Sequence, residues 1–150
     1  MNNDIYPDWW DTTVTIYNKY QDPQTKVVRW YSTVINGVFW KYVGDKVHIG
    51  KTVLETNDII CRIRKDDRFL EYHEWINKPN DEMSDYFTLA RGDIIVKGEV
   101  TDTIDEYTAG SRSNDLIKKY KALQGCMSIE EMTINTGASR CDEHYLVKGI

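Results

Sequence analysis

The sequence predicts a mainly β domain, a small β-barrel or sandwich with one short α-helix in its C-terminal half and long loops between strands. Three observations predict it. Runs with apolar residues at every second position recur along the chain, turn-forming residues separate them, and one stretch, residues 114–124, carries apolar residues at helical spacing instead. A length of 150 residues suits a single domain that buries its core without disulfide or metal staples. The expected division is an N-terminal arm over residues 1–12 and one barrel-like domain over residues 13–150.

The first strand is Thr13-Val14-Thr15-Ile16-Tyr17, where Val14 and Ile16 share a face and the threonines the other. Asp22-Pro23-Gln24-Thr25 forms a turn, because proline presets φ at its second position and Asp caps it through the side chain. Residues 26–35 then return antiparallel, with Val28, Trp30 and Val34 on one face. Asn36-Gly37 tolerates the positive φ of a type I′ turn and predicts a tight hairpin into a third strand over residues 38–43. Residues 13–43 therefore read as a three-stranded meander. Residues 44–57 are turn-like and read as a long excursion between strands. Alternation returns over residues 58–64, with Ile59, Cys61 and Ile63 facing one way and Ile60, Arg62 and Arg64 the other. Residues 65–86 are charged, with Phe69, Tyr72, Trp75 and Ile76 as apolar anchors whose spacing fits a short helical turn and equally a strand followed by a surface loop. Gly92-Asp93 makes a tight turn into a strand over residues 94–100. Leu116, Ile117, Tyr120 and Leu123 form a helical stripe between N-capping residues at 111–114 and Gly125. The chain ends in a hairpin of residues 127–134 and 144–147 around a turn at 135–139. No fixed-period repeat occurs, so a second domain is not expected.

The net charge of -5 and the lack of a long basic run argue against a dedicated nucleic-acid-binding surface. No apolar stretch approaches the roughly 20 residues that span a bilayer. Residues 1–11 are polar and acidic, unlike a secretory signal, so the chain is expected to stay in the compartment where it is made and to have no membrane partner. Cys61, Cys126 and Cys141 form no CxxC pair and are expected to be reduced thiols, with a Cys126–Cys141 bridge across the terminal hairpin as the alternative.

Nothing in the chain has the spacing of a reactive centre, and no catalytic, cofactor-binding or metal site is expected. His48, His73 and His144 lie far apart in sequence. In Cys141-Asp142-Glu143-His144 neighbours alternate faces, which reads as a solvent-facing strand end. Acid pairs such as Asp66-Asp67 and Glu130-Glu131 point apart on extended chain and suit solvated surface better than glycoside hydrolysis. Arg91-Gly92-Asp93 is a turn before it is an adhesion tripeptide. The abundance of aromatics, Tyr 10 and Trp 5, points to recognition, since both combine an apolar body with a polar tip. Tyr6, Trp9, Trp10, Trp40 and Trp75 are the candidates for a subunit interface; the paired tryptophans either cover the arm's own barrel or anchor a neighbour. A carbohydrate-binding β module, with exposed Trp40, Trp75 and tyrosine residues stacking on sugars, is an alternative of a different class.

The ordered landmarks Thr15-Ile16-Tyr17-Asn18-Lys19-Tyr20, Trp30, Thr33-Val34-Ile35-Asn36-Gly37-Val38-Phe39-Trp40, Phe87-Thr88-Leu89 and Gly92-Asp93-Ile94-Ile95-Val96-Lys97-Gly98-Glu99 resemble those of small structural proteins from the head and neck of tailed bacteriophages. The terminal helix, strand, Gly-Ala-Ser turn and last strand are similar too. The resemblance implies a head-closure, or stopper, protein of the head-to-tail connector. Such a protein is a small β-barrel in a homo-oligomeric ring, docked on portal and adaptor proteins on one side and tail proteins on the other, and it helps retain packaged DNA. It implies a location in the virion neck after assembly in the host cytoplasm. It also implies a long loop facing the channel, for which residues 44–57, with Lys46, His48 and Lys51 toward DNA phosphates, are the candidate and residues 65–86 the competitor. Tail-completion and minor capsid roles share the same features.

Overall fold

The computed structural model describes residues 7–49, 52–121, 125–136 and 143–150, with the side chains of 43–49, 52–57 and 136 outside that description. Tyr6, Lys51 and Cys141 lie outside the described residues, as do the side chains of Lys46 and His48. Six strands close into an antiparallel barrel: β1 (Thr12–Gln21), β2 (Val28–Ile49), β3 (Thr52–Arg64), β4 (Ile94–Lys97), β5 (Cys126–Thr136) and β6 (Glu143–Gly149), in the spatial order β1-β2-β3-β6-β5-β4. The expected mainly β class and barrel are what the chain adopts. The helical turn α1 (Tyr72–Trp75) and a 3₁₀ turn, Met83–Asp85, lie between β3 and β4, and α2 (Ser113–Lys121) lies between β4 and β5.

The barrel closes because two strands bend and serve two sheets. β2 pairs with β1 from Val28 to Val38 and with β3 from Phe39 to Ile49. At the corner Thr12 pairs with Val38 but Val14 with Ile35, so β2 carries one extra residue there, and Gly37 takes φ 70°. The hairpin expected at Asn36-Gly37 is therefore a bulge within a continuous strand of 22 residues. The local chemistry was read correctly, since the position does need a left-handed residue, but it bends a strand and does not reverse it. β5 repeats the device: it pairs with β4 up to Ser128 and with β6 from Ile129, with a bulge between Ile129 and Glu131.

The excursion expected at residues 44–57 is instead an antiparallel ribbon. Gly44 pairs with Asn57, Lys46 with Glu55, His48 with Val53 and Ile49 with Thr52, extending β2 and β3 past the barrel. β6 pairs with β3 only from Ile59 to Arg64. Seven residue pairs at about 3.3 Å each project the ribbon roughly 23 Å beyond the barrel wall.

Two apolar cores sit on either side of the β1–β4 wall. Val14, Ile16, Ile35, Val38, Cys61, Ile63, Ile95, Met127 and Val147 fill the barrel interior. Tyr17, Ile94, Val96, Leu116 and Cys126 pack outside it, under α2 and the loop that precedes α2. The continuous apolar run Ile94-Ile95-Val96 has this cause: the strand is buried on both faces. Residues 65–86 resolve the alternatives left by the sequence as a short helical turn that plugs the barrel end. Trp75 is 0% exposed, its indole Nε1 donates to the Met83 carbonyl at 3.2 Å, and the rings of Tyr20 and Tyr31 meet it edge to face.

A buried polar network ties that end together. The Asn18 amide donates to the Thr88 carbonyl at 2.6 Å and to an Asp93 carboxylate oxygen at 2.9 Å, and the Thr88 N–H donates back to Asn18 Oδ1 at 3.2 Å. Asp93 also accepts from the N–H groups of Lys19 and Ala90, both at 3.0 Å. Burial nevertheless pushes its carboxyl up to about 6, against the opposing pull of those bonds. The expected Gly92-Asp93 turn is present, and the Asp93 side chain is what fastens it to β1.

Candidate functional site

The outer wall formed by β2, β3 and β6 groups aromatic and cationic side chains. Alternation places Cys61 and Ile63 inside the barrel, so Arg62 and Arg64 turn outward, as the sequence predicts. Arg64 donates from Nε to the Gly37 carbonyl at 2.8 Å and from Nη2 to the Trp10 carbonyl at 3.1 Å. The same guanidinium thus holds the bulge and the arm together. With the arm held there, Trp10 stacks near Phe39 at 6.5 Å and meets the His144 ring edge-on at 5.5 Å.

Trp10 is 5% exposed and Trp75 0%, so both are enclosed by their own chain and neither offers a docking surface. The interface expectation is corrected for these two. Each ring is the largest apolar object near an otherwise open corner or end of the barrel, and self-burial is the gain that wins. Trp40 is half-buried against the inner core. Trp9 alone of the described candidates stands out, 61% exposed with its ring edge on Phe39 at 5.2 Å. Enclosure of Trp75 and partial enclosure of Trp40 also take those two rings out of the exposed set offered for sugar stacking, while Tyr42, Tyr72 and Tyr107 are exposed.

His144 is a residue that sequence reasoning misplaced. It is 8% exposed, not a solvent-facing strand end: Arg62 Nη1 lies 2.7 Å and Asn135 Nδ2 3.1 Å from its Nε2, and Trp10 covers the ring. A guanidinium has only donors, so Nε2 accepts from Arg62. The signal that would have placed it is the alternation of Tyr145 and Val147 into the core, which sends His144 to the wall that the arm covers.

Beside this wall opens a cleft of about 310 Å³ lined by Ile134 and by Phe69 and Tyr145, whose rings pack 4.2 Å apart at a tilt of 30°. Glu71, Glu74 and Glu143 rim it, and Lys65 pairs with Glu143 at 3.7 Å. Among the described residues that line it, the hydroxyl is that of Tyr145, which donates to the Asp66 carbonyl at 3.4 Å. The arrangement suits reversible contact with an apolar group flanked by positive charge. Glu71, His73 and Glu74 bring ligand-type atoms within 4.8 Å of one another on the exposed rim; all three are solvated, and His73 lies 3.7 Å from Glu71. They are the described residues whose ligand-type atoms lie close enough to share a cation.

The buried thiols are not reactive centres. Burial pushes the Cys126 thiol up to about 11 and raises Cys61 further, so both stay protonated at neutral pH, and neither is bridged. Cys126 packs as a small apolar residue beneath α2, and the alternative Cys126–Cys141 bridge involves Cys141, which lies outside the described residues.

A family model described as a family of unknown function (DUF6751) matches residues 9–150. The chain belongs to that family. No curated protein and no solved structure matches it. The DUF6751 match begins at Trp9 and includes Trp10, so the arm residues that cover His144 fall within the family's span together with the whole barrel.

Proposed function

We propose that this chain is a non-catalytic structural subunit of the tailed-bacteriophage neck, a head-closure protein that assembles as a homo-oligomeric ring, docks a portal-side adaptor and the tail, and helps retain packaged DNA. The observation that carries the proposal is the β2–β3 ribbon. It projects from a small closed barrel at the position where the resemblance calls for a long channel-facing segment. The competing excursion, residues 65–86, is folded against the barrel end through Trp75, which leaves the ribbon as the projecting element.

The electrostatics support the same reading. With a net charge of -5 the subunit touches phosphates weakly, and a channel lining of that kind lets DNA pass where a strongly basic one would hold it. A ring of identical subunits also needs two unlike patches on each copy, and exposed Trp9 and the acid-rimmed cleft differ in kind. The test is cryo-electron microscopy of intact particles that encode this chain. Density for the barrel in a ring between portal and tail is the expected result. Its presence in the capsid shell or at the tail tip, or its absence from purified necks, would overturn the proposal.

A further inference from the structure

Among the described residues, β5 beyond Ile129 is paired along one edge and open along the other. Ser128 and Ile150 exchange both main-chain bonds, at 2.9 and 3.2 Å, which fixes the phase of the ladder. Beyond the bulge Glu131, Thr133 and Asn135 therefore face β6, and the N–H and C=O groups of Met132 and Ile134 point the other way. On that other side the Gly92 N–H reaches the Ile129 carbonyl at 2.9 Å and the Ile129 N–H reaches the Asp93 carbonyl at 2.8 Å. Past Ile129, among the described residues, nothing takes the outward main-chain groups of Met132 and Ile134. Glu130, Glu131, Thr133 and Ile134 are exposed, so this edge is reachable, and an open edge is a template for strand addition.

The ribbon has the opposite need. Among the described residues, no third strand pairs with residues 43–49 or 52–58, and a two-stranded ribbon is marginal in water until another strand or surface joins it. Its strands differ in charge: residues 43–49 of β2 carry Asp45 and Lys46 and no net charge, whereas residues 52–58 of β3 carry Glu55 and Asp58. The β5 edge carries Glu130 and Glu131, so β2 is the ribbon strand whose charge suits it.

We infer that the open edge of β5, residues 132–134, accepts the outer edge of the β2 half of the ribbon, residues 43–49, from a second copy of this chain. The two surfaces are different, so copies join head to tail, and the contact repeats until rotation closes it. The inference rests on the ring reading above and names the contact that builds the ring.

Two variants of the full chain test it by sedimentation velocity. Ile134→Pro removes an edge N–H that makes no bond to β6, so the β5–β6 ladder survives. A shortened-ribbon variant replaces residues 46–55 with Asn-Gly. The wild type is expected to self-associate with rising concentration, and each variant to remain monomeric, Ile134→Pro with the far-ultraviolet circular dichroism spectrum of the wild type and the shortened-ribbon variant with a cooperative thermal melt. Mixed together they should form a one-to-one heterodimer and nothing larger, because one supplies only the ribbon and the other only the edge. Should Ile134→Pro lose its fold, Ile134→Lys blocks the same edge through charge. A wild type that stays monomeric to its solubility limit, variants that assemble like the wild type, or a mixture that does not pair would each overturn the inference. Failure of the neck assignment would show separately, as density elsewhere in the particle, and would leave this contact standing.

Discussion

Asp93 shows how one buried side chain sets a pH dependence for the whole fold. Its carboxyl titrates near 6 in the folded chain against 3.8 for an unburied aspartate, so between those values the folded state holds the proton more tightly than the unfolded one. Stability from this group is fully present below about pH 4 and is lost as pH rises through about 6, a change of about 3 kcal/mol. Asp93→Asn removes the titration but turns one acceptor into a donor facing the N–H groups of Lys19 and Ala90. The difference in unfolding free energy between wild type and Asp93→Asn, from urea melts, should therefore be largest at pH 4 and shrink by about 3 kcal/mol by pH 7. A constant difference across that range would show that Asp93 is ionised throughout. Trp75 is the apolar counterpart. Replacing this fully buried ring with alanine should cost about 4 kcal/mol, whereas Trp9→Ala, at an exposed ring, should stay within about 0.5 kcal/mol in the same melts.

At the level of elements, what was legible in the sequence was periodicity, and what was not was partner choice. Val14 and Ile16, Cys61 and Ile63, and Leu116 on its helix all face where alternation or the helical stripe puts them. Asn36-Gly37 was misread because a bulge and a type I′ turn ask for the same backbone conformation; only the length of pairing on either side separates them, and that is a long-range property. His144 and Trp75 were misplaced for a related reason, since what covers them, the arm over His144 and Tyr20 and Tyr31 over Trp75, is distant in sequence. The two bulged strands give the next prediction. A Cβ on Gly37 would have to adopt φ 70° and would meet Arg64 Nε at 2.9 Å. Gly37→Ala should cost about 1–2 kcal/mol in backbone strain, and moving the guanidinium should release Trp10, seen as a change in tryptophan emission before the main unfolding transition. At the other corner a Cβ on Gly149 would lie 2.1 Å from the Ser128 carbonyl oxygen, backbone that cannot swing aside. Gly149→Ala should destabilise more than Gly37→Ala, ranked by thermal melts of the two variants under one buffer.

At the scale of the whole molecule, the two cores need not fail together. The inner one is enclosed by six strands whose pairings span the chain, whereas the outer one is held by α2 and the loop before it, through contacts such as the Tyr17 hydroxyl to the Asp102 carbonyl at 2.6 Å and Lys119 to the Asp102 carboxylate at 2.7 Å. The latter pair is exposed and adds little, so the outer layer rests mainly on burial of Leu116 and its neighbours, and it should open by a sub-global step of lower free energy. The chain carries its own reporters for this, because Cys126 lies in the outer core and Cys61 in the inner one. In a Cys141→Ser background, a thiol reagent at pH 8 should label Cys126 through opening of α2 and Cys61 only through global unfolding. Ile16→Ala, in the inner core, should then speed Cys61 labelling by roughly 30-fold, the equivalent of about 2 kcal/mol, while leaving the Cys126 rate unchanged, because the inner core stays packed when only α2 opens. Equal acceleration at both thiols would mean that barrel and helix unfold as one unit. Separate rates would mean that α2 can loosen without opening the barrel, so that a partner can remodel the outer layer while the β5 edge and the ribbon keep their geometry.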